Sequence, residues 1–497
     1  MKKVSYLLII YFLISIAFVS CHDNDDPTPT PPVTKGLDNP INDFVWKGMN
    51  SWYNWQRDVP NLANTKDDDW NAYNAYLNGY SKPEALFYSL LFQEGTTDRF
   101  SWFVDDYVEQ LKEFQGISVS TGITRSAPIG IGNNQVIIYA QYVSPKSPAY
   151  AAGIRRGDII NAIDNQVMDE NNYAPVINKL YSGNTIDIRV STVSEGVLTE
   201  KNTYSVTPTE YSDNPVNVIK IFDNVNGKKV GYLSYNGFIS SYNDELNAAF
   251  ATFKSEGVNE LILDLRINGG GSVLTSAYLA SMIDASAGTE TFAKLTFNTK
   301  HSDESGSYTF QNTLNVYDAF GTKTSTETIN RLTGISRLYV LASGSTASAS
   351  EMIINGLKPF MPVKVIGTTT YGKNVGSITL YDSPSSDYTS ESSANPAHLN
   401  AMQPIVFQIY NKLNQSDYTQ GFLPDIEVEE WRYWENILPF GDENEIVLKT
   451  TLNDIRGVSA KSTLKKASFA NLKDDKEIKQ INKFSKEMYI TDEFFNQ

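Results

Sequence analysis

Three loops in this chain hold residues whose types could together do acyl-transfer chemistry. The first is Asp-Leu-Arg-Ile-Asn-Gly-Gly-Gly over 264–271, the second Gly-Ser-Thr-Ala-Ser-Ala-Ser-Glu over 344–351, and the third Tyr-Gly-Lys-Asn over 371–374. A serine hydroxyl is a poor nucleophile until a base removes its proton. A lysine can be that base when desolvation lowers its pKa toward neutrality. The negative oxygen formed on attack then needs N–H donors aimed at it. Ser348 and Lys373 are candidates for the first two tasks. For the third, the Ala349 amide opens a helix, and the glycines of 269–271 allow close backbone approach.

Each loop follows an apolar run that reads as a buried strand: Leu261–Leu263, Leu338–Leu341 and Val363–Gly367. Ser348 precedes a helix-like Glu-Met-Ile-Ile-Asn-Gly-Leu, and Lys373 lies past the next strand. A strand, crossover helix and parallel strand form a right-handed unit whose strand C-termini share one edge. The three loops are therefore expected at that edge. Farther out, Lys229–Leu233 reads as a strand. Leu246, Phe250 and Phe253 read as one helix face, capped by Asn243 or Asp244 and closed by Gly257. Upstream, Trp46, Met49, Trp52 and Tyr53 recur at helical spacing. Pro83 opens a second helix, and Phe-Val-Asp-Asp-Tyr-Val-Glu-Gln-Leu-Lys-Glu-Phe before Gly116 reads as a third. Between 117 and 208 short strands take over, with a helical turn at 147–154.

The set of three loops in this order resembles the carboxy-terminal processing peptidases (tail-specific proteases), S41-type serine peptidases. The likeness runs from about residue 90 to 455 and includes Gly-Phe-Leu-Pro-Asp-Ile at 421–426. Ser-Pro-Ala-Tyr-Ala-Ala-Gly-Ile-Arg-Arg-Gly-Asp-Ile-Ile over 147–160 resembles the PDZ domains, which bind extended peptides by strand addition. The resemblance implies Ser348 as nucleophile, Lys373 as base, and the Gly270 and Ala349 amides as oxyanion donors, without metal or cofactor. It implies polypeptide substrates, recruited through their C-termini by a peptide-carboxylate loop for which Gly122 and Ile123 are the candidates. Three positions depart from the family pattern. Thr346 replaces a serine, Gly269 replaces a proline, and Ser377 stands where a glutamine often orients the lysine. Glu351 is a possible supporting carboxylate, also explicable as favoured by the helix dipole.

The expected architecture is multidomain α/β (α+β in total). A helical region at 37–115 precedes a PDZ-like β-rich domain at 116–208, an α/β Ser/Lys peptidase core at 215–457 and a polar, Lys-rich tail at 458–497 with no assigned role. Residues 1–21 resemble a lipoprotein signal, with Lys2 and Lys3, an apolar run, and Cys21 as the lipidated residue. A Pro/Thr-rich tether at 22–36 follows. These features predict an exported enzyme, lipid-anchored in the envelope of a Gram-negative-type bacterium.

Composition narrows the alternatives. A net charge of −16 argues against nucleic acid as a partner. The single cysteine permits no intrachain disulfide. Of the three histidines, His22 adjoins the signal segment, while His301 and His398 sit in polar stretches that suit no catalytic triad. A silent binding protein for a peptide or lipophilic ligand on the same fold is the alternative reading. Retention of both Ser348 and Lys373 weighs against it.

Overall fold

The computed structural model describes residues 36–194, 197–458, 470–471, 478, 486–491 and 494–495. Cys21, the apolar run before it and nearly all of the tether lie outside the described residues. The first two expected helices are present, as Ile41–Trp52 and Pro83–Ser89. The former buries Phe44, Val45, Trp46, Met49 and Trp52, so its aromatic stripe is core. An additional helix, Trp70–Leu77, is capped by Asp69, whose side chain accepts the Asn71 and Ala72 amides.

The third helix is shorter than its sequence pattern suggests. Trp102–Val104 is a fully buried strand, antiparallel to Ala401–Gln403. Helix Tyr107–Phe114 starts only after Asp106, whose carboxylate accepts the Val108 and Glu109 amides. That cap sets the boundary, because a side chain that satisfies the first free N–H groups fixes where a helix begins.

The β-rich unit is built on antiparallel strands Val136–Val143, Ile159–Ile163, Ile186–Ser194 and Val197–Val206. It has its own apolar core, including Val136, Ile138, Ile160, Ile163, Ile188 and Val190. Its short helix Pro148–Ala152 ends at Gly153, whose φ of 114° is the left-handed conformation glycine adopts readily.

The main sheet has six strands in the order Val216–Val225, Lys228–Tyr235, Glu260–Asp264, Leu338–Ala342, Val363–Gly367, Ile426–Glu427. The first pair is antiparallel and every later pair parallel. Strands 260–264 and 338–342 are buried at every position, as parallel strands covered on both faces must be. Helices Asn243–Ser255 and Ala349–Leu357 are crossovers. The first is not capped by Asn243 or Asp244. Tyr242 occupies the cap, and the Asn243 side chain donates to the Asn315 carbonyl and accepts from Thr275 Oγ1.

A second six-stranded sheet runs Gly271–Ser272, Met488–Tyr489, Val375–Ser377, Ile405–Asn411, Thr291–Phe297, Gly306–Thr309. The polar tail therefore has structural work in its described part. Residues 488–489 are an interior strand, parallel to 271–272 on one side and to 375–377 on the other.

Candidate active site

Ser348 stands between strand 338–342 and helix 349–357, with φ 64° and ψ −120°. For a non-glycine residue such a conformation costs about 1–3 kcal/mol and persists only where neighbours impose it. They do so here. Thr346 Oγ1 donates to the Leu265 carbonyl at 2.8 Å and accepts the Ser343 amide at 2.9 Å. Ser350 Oγ donates to the Asn268 carbonyl at 3.0 Å. The Ser348 turn is thus stitched to the 264–271 loop. Ser348 is wholly buried, and among the described residues its Oγ has no hydrogen-bond partner. The Ala349 amide lies in the first helical turn, where N–H groups lack intrahelical acceptors.

Glu351 does more than answer the helix dipole. Its Oε2 accepts the Ser348 amide at 2.9 Å and the Lys373 amide at 2.8 Å. Its Oε1 accepts the Gly372 amide at 2.7 Å and Thr370 Oγ1 at 2.6 Å. One buried carboxylate therefore joins the serine turn to the lysine loop. Burial pushes its pKa up, and the four donors oppose that rise.

Lys373 is 1% exposed. Its Nζ donates to the Lys486 carbonyl at 3.0 Å and to Glu487 Oε2 at 3.1 Å, and lies 5.0 Å from the Phe100 ring centre. Burial lowers the amine from its ordinary 10.5, with Glu487 pulling the other way. Burial likewise raises the Glu487 carboxyl. Since Ser348 Oγ is unpartnered, Lys373 is not hydrogen-bonded to it in this arrangement. Ser377 does not reach the amine either. Its Oγ donates to Glu487 Oε1 and accepts from Gln403 Nε2 at 2.8 Å.

Gly270 lies against Ser348, and a Cβ there would fall 2.7 Å from the Ser348 Cβ and 3.1 Å from the Ala349 nitrogen. Its φ of 119° and this crowding require glycine. The Gly270 amide, however, donates to Asn268 Oδ1 at 2.9 Å. The neighbouring Gly271 amide is the one engaged across the cleft, with the Glu487 carbonyl at 2.6 Å.

Gly122 and Ile123 lie in the β-rich unit, away from this cluster. The Gly122 amide donates to Ser120 Oγ at 3.0 Å, its carbonyl accepts the Ser144 amide, and Ile123 is buried. A serine–histidine–aspartate contact exists elsewhere, at Ser51, His301 and Asp387. There Ser51 Oγ touches both His301 Nε2 and the Asp387 carboxylate, at 3.0 Å each. A relay needs the histidine between the other two groups, one on each ring nitrogen. His301 instead stacks on Trp52 at 3.5 Å. Among the described residues no cluster of three or more His, Cys, Asp or Glu could hold a metal.

Two cavities flank the cluster. One, of about 410 Å³, is lined by Phe114, Ser272, Thr275, Thr379, Tyr489 and Thr491. The other, of about 480 Å³, is lined by Trp55, Arg99, Phe100, Gly372 and Asn374. Glu487 is the site residue that sequence reasoning missed. The available signal was slight: three apolar residues, Met488–Ile490, interrupting a polar tail.

With this geometry in hand, the comparisons with known proteins agree on one family. The model for peptidase family S41 matches residues 229–428, and that for the peptidase S41 N-terminal domain matches 40–102. A CtpA-like serine protease of Staphylococcus aureus is 24% identical over 343 residues, which is 67% of this chain and 60% of the relative. A carboxyl-terminal-processing protease of Picosynechococcus is 28% identical over 281 residues, 54% of this chain and 60% of the relative. The chain thus spans about 60% of the length of these relatives. A crystal structure from Bacteroides fragilis, named as an S41 protease, superposes with a TM-score of 0.64 at 27% identity, covering 84% of this chain and 98% of that one. The family model at 229–428 spans all three loops and the N-terminal-domain model at 40–102 spans the first helices, so the chain carries a peptidase S41 domain preceded by a peptidase S41 N-terminal domain.

Proposed function

We propose that this chain is a serine endopeptidase in which Ser348 attacks a peptide carbonyl and Lys373 serves as its base. The observation that carries the reading is the pairing of a strained, buried, unpartnered serine hydroxyl with a buried lysine, their backbones held by one carboxylate, Glu351. Neutral Lys373 takes the Ser348 proton, and the hydroxyl oxygen adds to the carbonyl carbon. The amide of Ala349 and a glycine amide of 270–271 receive the oxyanion. The lysine then gives its proton to the leaving amine, and an acyl-enzyme forms. Water, deprotonated by the same lysine, releases the acyl group.

The substrate in this reading is an extended polypeptide, recruited through its C-terminus by the β-rich unit at 116–208 acting as a PDZ domain. Cys21 carries a lipid that holds the enzyme at the cell envelope. The test is proteolysis of an unfolded protein by the chain beginning after Cys21, against Ser348→Ala and Lys373→Ala. Cleavage by the parent and none by two folded variants is expected. Equal inertness of all three, once the cleft has been opened as described below, would favour a binding role on the same fold.

A further inference from the structure

Residues 486–491 run as an extended segment over the serine and lysine loops. Met488 pairs with Gly271, and Tyr489 pairs with both Ser272 and Ser377, so the segment is hydrogen-bonded between two strand edges. The Glu487 carbonyl takes the Gly271 amide at 2.6 Å. The Lys486 carbonyl and the Glu487 carboxylate take the amine of Lys373. Tyr489 stacks on Phe114 with ring centres 4.1 Å apart and planes 10° from parallel. Residues 487–490 are buried, and beneath them Ser348 and Lys373 are 0% and 1% exposed. One cavity adjoins the segment at 489–491, and the other adjoins the lysine loop at Gly372 and Asn374.

We infer that the cleft is a strand-accepting peptide site whose resident ligand is the chain's own 486–491 segment. It selects an extended peptide parallel to 271–272 that places a carboxylate side chain against Lys373 and Ser377. While the segment is seated the site is latent. The segment engages the two strand edges, the Gly271 amide and the lysine amine, and leaves Ser348 Oγ covered without bonding it. A free peptide must displace it, and one with glutamate at the matching position recovers the same charge-assisted bonds. The binding half of this inference stands on geometry alone; the latency half rests on the peptidase reading.

The experiment uses a fluorescein-labelled peptide Lys-Glu-Met-Tyr-Ile-Thr, copied from 486–491. It is titrated by anisotropy against the full chain, a form ending at residue 485, and full-length Glu487→Lys. The lysine variant keeps the chain intact and expels the segment by setting two ammonium groups together in a buried place. Saturable binding is expected to the shortened form and to Glu487→Lys, with binding to the full chain at least about tenfold weaker. Glutamine in place of the peptide's glutamate is expected to weaken binding about tenfold. Both opened forms are expected to cleave an unfolded protein at least about tenfold faster than the full chain, the ratio that matches the weaker access of peptide. Binding to opened forms that stay inert would uphold the site and overturn the peptidase reading. Equal, Ser348-dependent cleavage by full and opened chains would overturn the latency and leave the peptidase reading in place. Absence of binding to both opened forms, each folded by circular dichroism, would overturn the site itself.

Discussion

Glu351→Ala removes one buried carboxylate that accepts four hydrogen bonds, three from backbone amides and one from Thr370. Bonds to a charged acceptor contribute about 1.5–3 kcal/mol each, so a simple sum reaches roughly 6–12 kcal/mol. Two effects lower it. Burial already opposes the charge, as the raised pKa records, and alanine relieves that cost. Water can enter the vacated space and the Thr370 hydroxyl can turn to it. A net loss of about 3–5 kcal/mol follows, at the upper end of single-substitution effects. If the loss appears as local opening, the Ser348, Gly372 and Lys373 amides exchange with solvent about two to four orders of magnitude faster. Glu351→Gln is milder. Its oxygen can keep the Ser348 and Lys373 amides, while its NH₂ faces Thr370, which can rotate, and the Gly372 amide, which cannot. Hydrogen exchange resolved by mass spectrometry, with the thermal midpoint alongside, reads both variants. Unchanged protection of the three amides in a folded Glu351→Ala would refute the claim that this carboxylate ties the two loops.

Other perturbations test separate parts of the reasoning. Burial lowers the Lys373 amine, so the folded chain sheds that proton at lower pH than the unfolded chain; stability from this group and the neutral base both increase as pH rises toward 10.5. Cleavage by an opened form should therefore climb with pH, and a flat rate between about pH 6 and 9 would count against a lysine base. Against the cost of burial, Arg156 and Arg266 hold the Glu430 carboxyl down to about 2, so its stabilisation is present above the ordinary carboxylate range and lost as pH falls toward that value. Arg156→Ala should cost about 3 kcal/mol, because Arg266 still pairs with Glu430, and the difference in thermal midpoint from the parent should narrow on acidification. Gly372 has φ 90°, and a Cβ there would lie 2.4 Å from the Thr419 carbonyl. Gly372→Ala should shift the lysine loop and abolish cleavage by an opened form, with retained activity arguing that Lys373 is placed by other contacts.

The sheet edge was legible because its signals are local. Leu-Ile-Leu and Leu-Tyr-Val-Leu are unbroken apolar runs, the first leading through Asp264–Asn268 to a glycine run and the second directly into small residues, and a strand feeding a helix through Ser348 is written contiguously. The boundary near 103 was not, since Trp102, Phe103 and Val104 fit a helix face and a buried strand equally, and only the Asp106 cap divides them. Glu351 was visible as a residue but not as a junction, because three of its four partners lie on another loop. Gly270 was expected as a donor, and its contact with Ser348 is present. Its amide, though, turns into Asn268, a backbone detail set by the side chain two residues earlier. Glu487 was the least accessible, because a two-residue strand has no period to read and its partners lie more than a hundred residues away.

Because that strand is translated so late, the nascent chain builds most of both sheets around an unfilled slot. The edges at 271–272 and 375–377 meet only through the strand at 488–489, so in a chain that has not yet made residues 486–491 each would be an open template for backbone pairing. Closing the gap joins residues more than a hundred positions apart, among the slower contacts a chain can form. During that interval the slot is open to any extended segment nearby, including the same segment of a second nascent copy. For a chain that folds as it is made, the order of synthesis thus leaves a time window for exchange of strands between chains, governed by local concentration.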